Sequence, residues 1–182
     1  MAKQFPSISP EFKAFIERQH IFFTASATAE SRINLSPKGL DGFRVTGENE
    51  VCYLDLTGSG NEAAAHLRAD GRMTIMFCAF EGPPMILRLY GRGRVARKGT
   101  ADYAHYLAGF FDGNEPVGAR QIVVVDVELV QTSCGFGVPL HDYKEERPSL
   151  VRWAEAQGED GIAAYWQEKN RVSIDGLPTG VA

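Results

Sequence analysis

The sequence lacks the short motifs that mark the commonest nucleotide-binding, hydrolytic and metal-dependent enzymes. No GxGxxG segment follows a predicted strand, and GxxxxGK[ST], GxSxG, HExxH and CxxC do not occur in the 182 residues. Each motif supplies a particular phosphate loop, nucleophile turn or metal-ligand spacing, so its absence argues against that site. The histidines are few and far apart, which disfavours a metal site: His20, His66, His105 and His141.

Long apolar runs and cysteines are also scarce. No run approaches the roughly 20 apolar residues that span a bilayer, and the opening MAKQFPSISPEF has no apolar signal core. The three cysteines are odd in number, and each lies in or beside a predicted strand, so we expect buried, reduced thiols at Cys52, Cys78 and Cys134. We therefore expect a cytoplasmic protein. Its net charge of −4 gives no general attraction to nucleic acid or to an anionic membrane.

The rest of the composition is that of an ordinary globular domain, with 44% hydrophobic and 23% charged residues. We expect one domain over residues 1–182, with a helical C-terminal extension from about residue 145. About six short strands, too close together for helical crossovers, favour a small antiparallel barrel with peripheral helices. Alternating or continuous apolar residues mark strand segments at 21–28, 32–37, 43–46, 51–56, 72–77, 85–97 and 121–131.

The segment 51–77 has the clearest organisation in the chain. A strand leads into the polar loop TGSGN, a short helix follows, and a second strand closes the unit. Ser59 and Glu62 have the spacing of a capping box. Gly58 and Gly60 allow a sharp turn that exposes backbone amides. The pattern fits either an ordinary helix cap or an anion site at a helix N-terminus.

Two further strands carry polar rows. In RINLSP, beginning at Arg32, the period of two places Arg32, Asn34 and Ser36 on one face. In MILRLYGRGRVAR an arginine row at Arg88, Arg92 and Arg94 could meet a phosphate or a partner's carboxylates. Such a row is more often a solvated face, or pairs with acids on the next strand, here Asp126 and Glu128. Gly91 and Gly93 within the same strand predict a bend or bulge.

Taken together, these segments resemble the FMN-binding split-barrel family related to pyridoxamine 5′-phosphate oxidase. The resemblance covers about residues 10–135 and rests on the strand NLSPKG, the unit from Thr57 to Phe77 with its R-x-T-I-M-F strand, and the strand Y-G-R-G-R-V. It implies a six-stranded antiparallel split β-barrel that forms a homodimer. In such a dimer, flavin mononucleotide (FMN) lies across the subunit interface.

The resemblance also implies a set of cofactor-binding residues. Members of the set on the NLSPKG strand would contact the flavin ring or the FMN phosphate. Members in the TGSGN loop would line the phosphate. Arg32, at the start of the RINLSP strand, stands where the true oxidases have a phosphate-binding arginine. Arg88 lies on the strand face that, in the family, approaches the flavin. The set is Arg32, Asn34, Ser36, Lys38, Thr57, Gly58, Ser59, Asn61 and Arg88.

The chain departs from the true oxidases in two places. Glu62-Ala63 stand where those enzymes have an Arg-Lys pair that holds the FMN phosphate. Either Lys38, Arg32 and backbone amides hold the phosphate here, or FMN binds weakly or not at all. The C-terminal Arg-x-His substrate motif is missing, which argues against pyridoxamine phosphate oxidation. Trp153 and Trp166 either cover the flavin from the partner subunit or pack the C-terminal helices.

Three functional hypotheses follow. The first is a homodimeric FMN-dependent oxidoreductase of unknown substrate, for which no catalytic residue can be named because the cofactor supplies the chemistry. The second is a flavin- or haem-binding protein without turnover, such as a stress protein, with His66 as the histidine nearest the predicted pocket. The third is a reductase that uses a deazaflavin in the same pocket.

Overall fold

The computed structural model describes residues 2–181, in which eight strands form one antiparallel sheet and four helices pack around it. The strands lie in the order β3-β2-β6-β7-β8-β5-β4, and β1 pairs with β8. The elements are β1 (Lys3–Phe5), α1 (Pro10–Glu17), β2 (Phe22–Ser26), β3 (Asn34–Lys38), β4 (Phe43–Gly47), β5 (Glu50–Leu56), α2 (Glu62–Ala69), β6 (Arg72–Cys78), β7 (Ile86–Arg97), α3 (Ala101–Phe110), β8 (Ala119–Ser133) and α4 (Ser149–Lys169).

The predicted antiparallel β architecture with peripheral helices is confirmed, but the predicted number of six strands is wrong. Strands β2 to β8 match the seven strand segments marked in the sequence, and the strand outside them is β1, which pairs with the end of β8 through Lys3 opposite Thr132 and Phe5 opposite Val130. A strand of three residues is too short for apolar alternation to show in the sequence. Its place in the sheet depends on a partner far along the chain.

Strand β8 is the centre of the core and is buried on both faces over its first half. Val123 and Val125 belong to the larger apolar cluster inside the curled sheet. Ile122 and Val124 face the opposite way, into a second cluster with Tyr106 of α3. Burial on both faces explains why this segment is a continuous run of apolar residues rather than an alternation.

The starts of α1 and α3 and the break within α4 follow from the residues found there. The Ser9 side chain accepts a hydrogen bond from the backbone N–H of Phe12 at 3.2 Å, and Pro10 is the first helical residue of α1. The Thr100 side chain caps α3 in the same way. Gly158 has φ 65° inside α4, so the C-terminal extension is two helical halves joined at this residue. Among residues 2–181, no helix is long and apolar enough to cross a membrane.

The prediction that all three cysteines are buried is wrong at one position. Cys52 and Cys78 lie in strands and are buried, whereas Cys134 follows the last residue of β8 and is exposed. Burial, with a smaller contribution from Glu50, raises the pKa of the Cys52 thiol to about 12. This thiol therefore stays protonated and unreactive at neutral pH.

The predicted bend in β7 is confirmed as a bulge. The pairing of β7 with β8 shifts register between Tyr90 and Gly91, which brings Gly91 against the backbone of Asp126. A Cβ atom at Gly91 would lie 2.0 Å from the carbonyl oxygen of Asp126. The missing side chain is therefore what allows the two central strands to approach at the bulge.

We expect Gly91→Ala to lower the free energy of unfolding by about 3 kcal/mol, because the added methyl group meets backbone that cannot move without breaking the strand pairing. The matched control is Gly109→Ala in α3, where a Cβ meets no described atom within 4 Å. That change should raise stability by about 0.5 kcal/mol. Urea unfolding of both variants measures the difference, and equal stabilities would contradict the close approach.

Candidate cofactor site

Two segments that the sequence analysis singled out meet at one cavity of about 430 Å³. Strand β3 contributes Asn34, Ser36 and Lys38, and the loop between β5 and α2 contributes residues on the opposite wall: Gly58, Ser59, Gly60 and Asn61. The volume lies within the range of small-molecule sites. Since β3 and β5 are not neighbours in the sheet, only its curling brings these residues together.

A buried carboxylate holds the walls of the cavity together. The Lys38 ammonium donates to Asp55 Oδ1 at 2.6 Å, and the Arg120 guanidinium donates to Asp55 Oδ2 at 2.7 Å. The Gln121 amide adds a third hydrogen bond at 2.9 Å. Burial opposes ionisation of Asp55, but Lys38 and Arg120 outweigh it and hold the pKa of this carboxyl well below its usual range. Asp55 is therefore ionised at neutral pH.

The loop from Thr57 to Asn61 is fastened to β8 by the same residues. Arg120 Nη1 donates to the carbonyl oxygen of Gly60 at 3.0 Å, and Gln121 Nε2 donates to Asn61 Oδ1 at 2.7 Å. Asn61, Arg120 and Gln121 are each at most 5% exposed. The shape of the loop is thus determined by buried polar contacts to a strand some sixty residues away in sequence.

The C-terminal extension covers the outer side of this loop. Trp166 Nε1 donates to Thr57 Oγ1 at 2.8 Å, and the Thr57 hydroxyl donates in turn to the carbonyl oxygen of Gly118. Asn170 Nδ2 donates to the carbonyl oxygen of Gly58 at 3.2 Å. The ring of Trp153 instead packs edge-on against Tyr165 within α4. Within one chain, then, one tryptophan contacts the loop and the other packs the helices.

The predicted capping box at Ser59 and Glu62 is wrong. Asn61 is the N-cap of α2, with non-helical φ −140° and ψ 40°, and no side chain caps the helix. The Asn61 side chain accepts a hydrogen bond from Gln121. The helix therefore starts two residues later than it would with Ser59 as its N-cap. The Glu62 carboxylate instead accepts hydrogen bonds of 3.0 and 3.1 Å from the backbone N–H of Ile174.

Three predicted residues lie outside the cavity in the chain as folded. Thr57 is buried against Trp166 and Gly118, as described above. The guanidinium of Arg32 is paired with Asp175 in the C-terminal tail. Arg88 lies on β7 and donates to Ser133 Oγ at 3.2 Å. The structure therefore joins six of the nine predicted residues at one cavity and leaves these three with contacts elsewhere.

The remaining arginines and His66 also have local contacts. Arg92 pairs with Glu128 at 3.5 Å, as predicted for neighbouring strands, whereas Arg94 pairs with Asp102 of α3. His66 is 1% exposed on α2, with Nδ1 3.1 Å from the Ser26 hydroxyl. A haem iron could reach His66 only after this helix moved, because its side chain lies beneath the surface.

A second and larger cavity, of about 1150 Å³, adjoins the first. The two share Leu150 and the segment 37–40 at the end of β3. The second cavity lies between the end of α1, the segment 80–85 and the segment 141–150. On its wall the rings of His20 and Tyr143 stack on each other, with centroids 3.7 Å apart. A molecule in this cavity would therefore lie next to a ligand of the smaller one.

Several important residues of the site were missed from the sequence: Asp55, Arg120, Gln121 and Asn170. One signal was available, because Asp55 interrupts the apolar run VCYLDL and Arg120 opens the most apolar strand of the chain. A charge within a buried strand requires a partner. The sequence does not show which charge pairs with which.

Comparison with known proteins agrees with this fold. The family model described as pyridoxamine 5′-phosphate oxidase matches residues 8–134, so the chain belongs to that family. A pyridoxamine 5′-phosphate oxidase family protein of Aspergillus flavus, ustO, is 39% identical over 190 residues. This match covers 96% of this chain and 76% of ustO.

Two solved structures share the fold at low sequence identity. HupZ of Group A Streptococcus is 20% identical with a TM-score of 0.53, covering 67% of this chain and 91% of HupZ. A protein of Lactobacillus delbrueckii is 15% identical with a TM-score of 0.53, covering 69% of this chain and 94% of that one. At this identity the similarity shows the fold alone.

We expect Asp55→Asn to lower the free energy of unfolding at pH 7 by about 3 kcal/mol, because two cations lose their shared buried carboxylate. Since the folded-state pKa of Asp55 is depressed, its contribution is present above the unfolded-chain pKa of about 3.9 and is lost as pH falls through the folded value. The difference from wild type should therefore shrink below about pH 4.

Urea unfolding across pH measures this difference. The control is Asp41→Asn, whose carboxylate also pairs with an arginine but is 91% exposed, and which should leave stability nearly unchanged. Equal losses for the two variants at neutral pH would show that Asp55 does not organise the site.

Proposed function

We propose that this chain binds FMN in the 430 Å³ cavity and acts, as a homodimer, as a flavin-dependent oxidoreductase. The observation that carries the proposal is the meeting of β3 with the glycine-containing loop at the N-terminus of α2. Free N–H groups at a helix N-terminus favour an anion. The polar side chains of β3 extend the same cavity away from that terminus, as an elongated phosphate ester requires.

The donors present at the cavity fit such a ligand. Two residues on its wall have buried polar atoms for which residues 2–181 offer no hydrogen-bond partner: Asn61 Nδ2 and Arg120 Nε. Buried polar groups in folded proteins almost always have a partner, either protein or bound molecule. A cluster of such atoms at one cavity supports a site for an oxygen-rich ligand or for ordered water.

The residues that line the cavity would have different roles in binding FMN. Lys38 and the loop amides would hold the phosphate, while Asn34 and Ser36, which are hydrogen-bonded to each other at 3.1 Å, would orient the ring system. Bound FMN supplies the electron transfer. The adjoining cavity has room for the molecule that exchanges electrons with it. Because the Arg-x-His motif is missing, we do not propose pyridoxamine phosphate as that molecule.

Exposed apolar residues support the homodimer. Ile33 and Leu35 are 76% and 65% exposed on the outward side of the β3 region, at one end of the sheet. Ile174, in the tail that Arg32 ties to this strand, is 73% exposed. Large apolar side chains grouped on a surface mark contact sites. A second copy of the chain on this side would cover them next to the cofactor cavity.

We expect purified protein to bind FMN with micromolar or tighter affinity, and Lys38→Ala to weaken that affinity about tenfold by removing a charged donor. Quenching of FMN fluorescence measures both. Asp55 keeps Arg120 and Gln121 as partners in this variant, so circular dichroism should show a folded protein.

The matched control is Lys98→Ala, which also removes a salt-bridged lysine, here paired with Glu115 away from the cavity. Its FMN affinity should equal that of wild type. Unchanged affinity in Lys38→Ala would exclude Lys38 from the site. A colourless protein that takes up no FMN at micromolar concentration would contradict the proposed function.

Light scattering should give twice the 20.0 kDa mass of the chain. Replacing both Ile33 and Leu35 by Glu should shift the protein toward the monomer and weaken FMN binding, since charges would be buried at the contact. Leu140→Glu changes an equally exposed leucine elsewhere and should leave the dimer intact. A monomeric wild-type protein at micromolar concentration would contradict the dimer.

A further inference from the structure

The cofactor site needs a positive charge that its helix does not supply. Helix α2 begins with Glu62-Ala63, so its first turn has an acidic residue and no basic one. The Glu62 carboxylate accepts its hydrogen bonds from the backbone of the C-terminal tail, at Ile174. Some other group must therefore balance a phosphate bound at the loop.

Arg120 has the charge, the position and an unused donor. It lines the cavity from the opposite strand, β8, and is 5% exposed. Its Nη atoms donate to Asp55, to Asn170 and to the carbonyl oxygen of Gly60 in the loop. Its Nε is buried without a hydrogen-bond partner in the part of the chain that the structure describes. Most of the guanidinium is thus held in place while one N–H remains for a ligand.

Asn61 provides a second unused donor on the same wall. This residue is 3% exposed and caps α2. Its Oδ1 accepts from Gln121, but its Nδ2 finds no partner among residues 2–181. Both free atoms are N–H donors, so the group that satisfies them must be an acceptor. Phosphate oxygens accept hydrogen bonds from Arg and from amide nitrogen.

The charges around the cavity balance. Its lining has two cations, Lys38 and Arg120, and two carboxylates, Asp55 and Glu62. Lys38 and Arg120 share the Asp55 carboxylate, and both Glu62 oxygens accept from the single backbone N–H of Ile174. An anion here would therefore be held by directed N–H donors rather than by net charge. A phosphate monoester placed here would meet donors from β8, from the loop and from the helix N-terminus.

We propose that Arg120 and Asn61 bind the phosphate monoester of the cofactor, and that Arg120, from β8, supplies the positive charge that the start of α2 lacks. This inference rests on the proposed function. The inference predicts selectivity between two flavins. The site would bind riboflavin far more weakly than FMN, because riboflavin lacks the phosphate.

The test compares the dissociation constants of FMN and riboflavin, measured by fluorescence quenching in the full chain. Wild type should bind FMN at least about tenfold more tightly than riboflavin. Arg120→Gln should weaken FMN binding about 10- to 100-fold, the range for a hydrogen bond to a charged group, and should change riboflavin binding little. Arg120→Lys, which keeps the charge, should restore part of the selectivity.

Arg97→Gln is the matched control. Arg97 also anchors the C-terminal tail, through the carbonyl oxygens of Thr179 and Gly180, but it lies away from the cavity. If Arg120 acted only by holding the C-terminal segment, the two variants would lose FMN and riboflavin affinity alike. Unchanged selectivity in Arg97→Gln, together with lost selectivity in Arg120→Gln, supports the inference.

Asn61→Ala provides a second test that leaves the ion pairs of Asp55 in place, and it decides the question if Arg120→Gln does not fold. It should also lower the preference for FMN over riboflavin. Equal affinity of wild type for the two flavins, or a preference that survives both substitutions, would overturn the inference and leave flavin binding intact. A wild-type protein that binds neither flavin would overturn the proposed function itself.

Discussion

The buried carboxylate of Asp55 is the contact on which the candidate cofactor cavity depends. It joins Lys38 of β3 to Arg120 of β8 through a residue of β5, and so connects strands from both halves of the sheet. Burying an ion costs several kcal/mol unless partners surround it. Here two cations and the Gln121 amide offset that cost. The ionised carboxylate of Asp55 therefore connects the two walls of the cavity through several partners, so the loss of one partner leaves the others in place.

The same cluster links the family fold to the C-terminal extension. Arg120 also binds Asn170, which in turn binds the carbonyl oxygen of Gly58, while Trp166 binds Thr57. The family model covers residues 8–134, so the segments that fasten the loop from outside lie beyond it. The loop is thus held from β8 on one side and from the extension on the other. This arrangement gives the extension a structural role at the candidate cofactor site.

Local chemistry made much of the fold predictable. A capping Ser9 before Pro10, a bulge at Gly91 and a break at Gly158 each follow from the backbone preferences of one or two residues. The errors arose where a distant contact overrode a local pattern. Ser59 has the right spacing for a helix cap, but Gln121 holds the Asn61 side chain and moves the start of the helix.

By itself, the sequence determined the antiparallel β architecture and two of the segments that meet at the cavity, because strand periodicity and glycine-containing turns are properties of neighbouring residues. Only the tertiary structure decided which charges pair and which residues hold the loop. It also decided that the Glu62 carboxylate accepts from the backbone of Ile174. The physical reason is that a buried charge takes its partner from whatever the fold brings within about 3 Å. For Asp55, those partners are 17 residues before it and 65 residues after it in the chain.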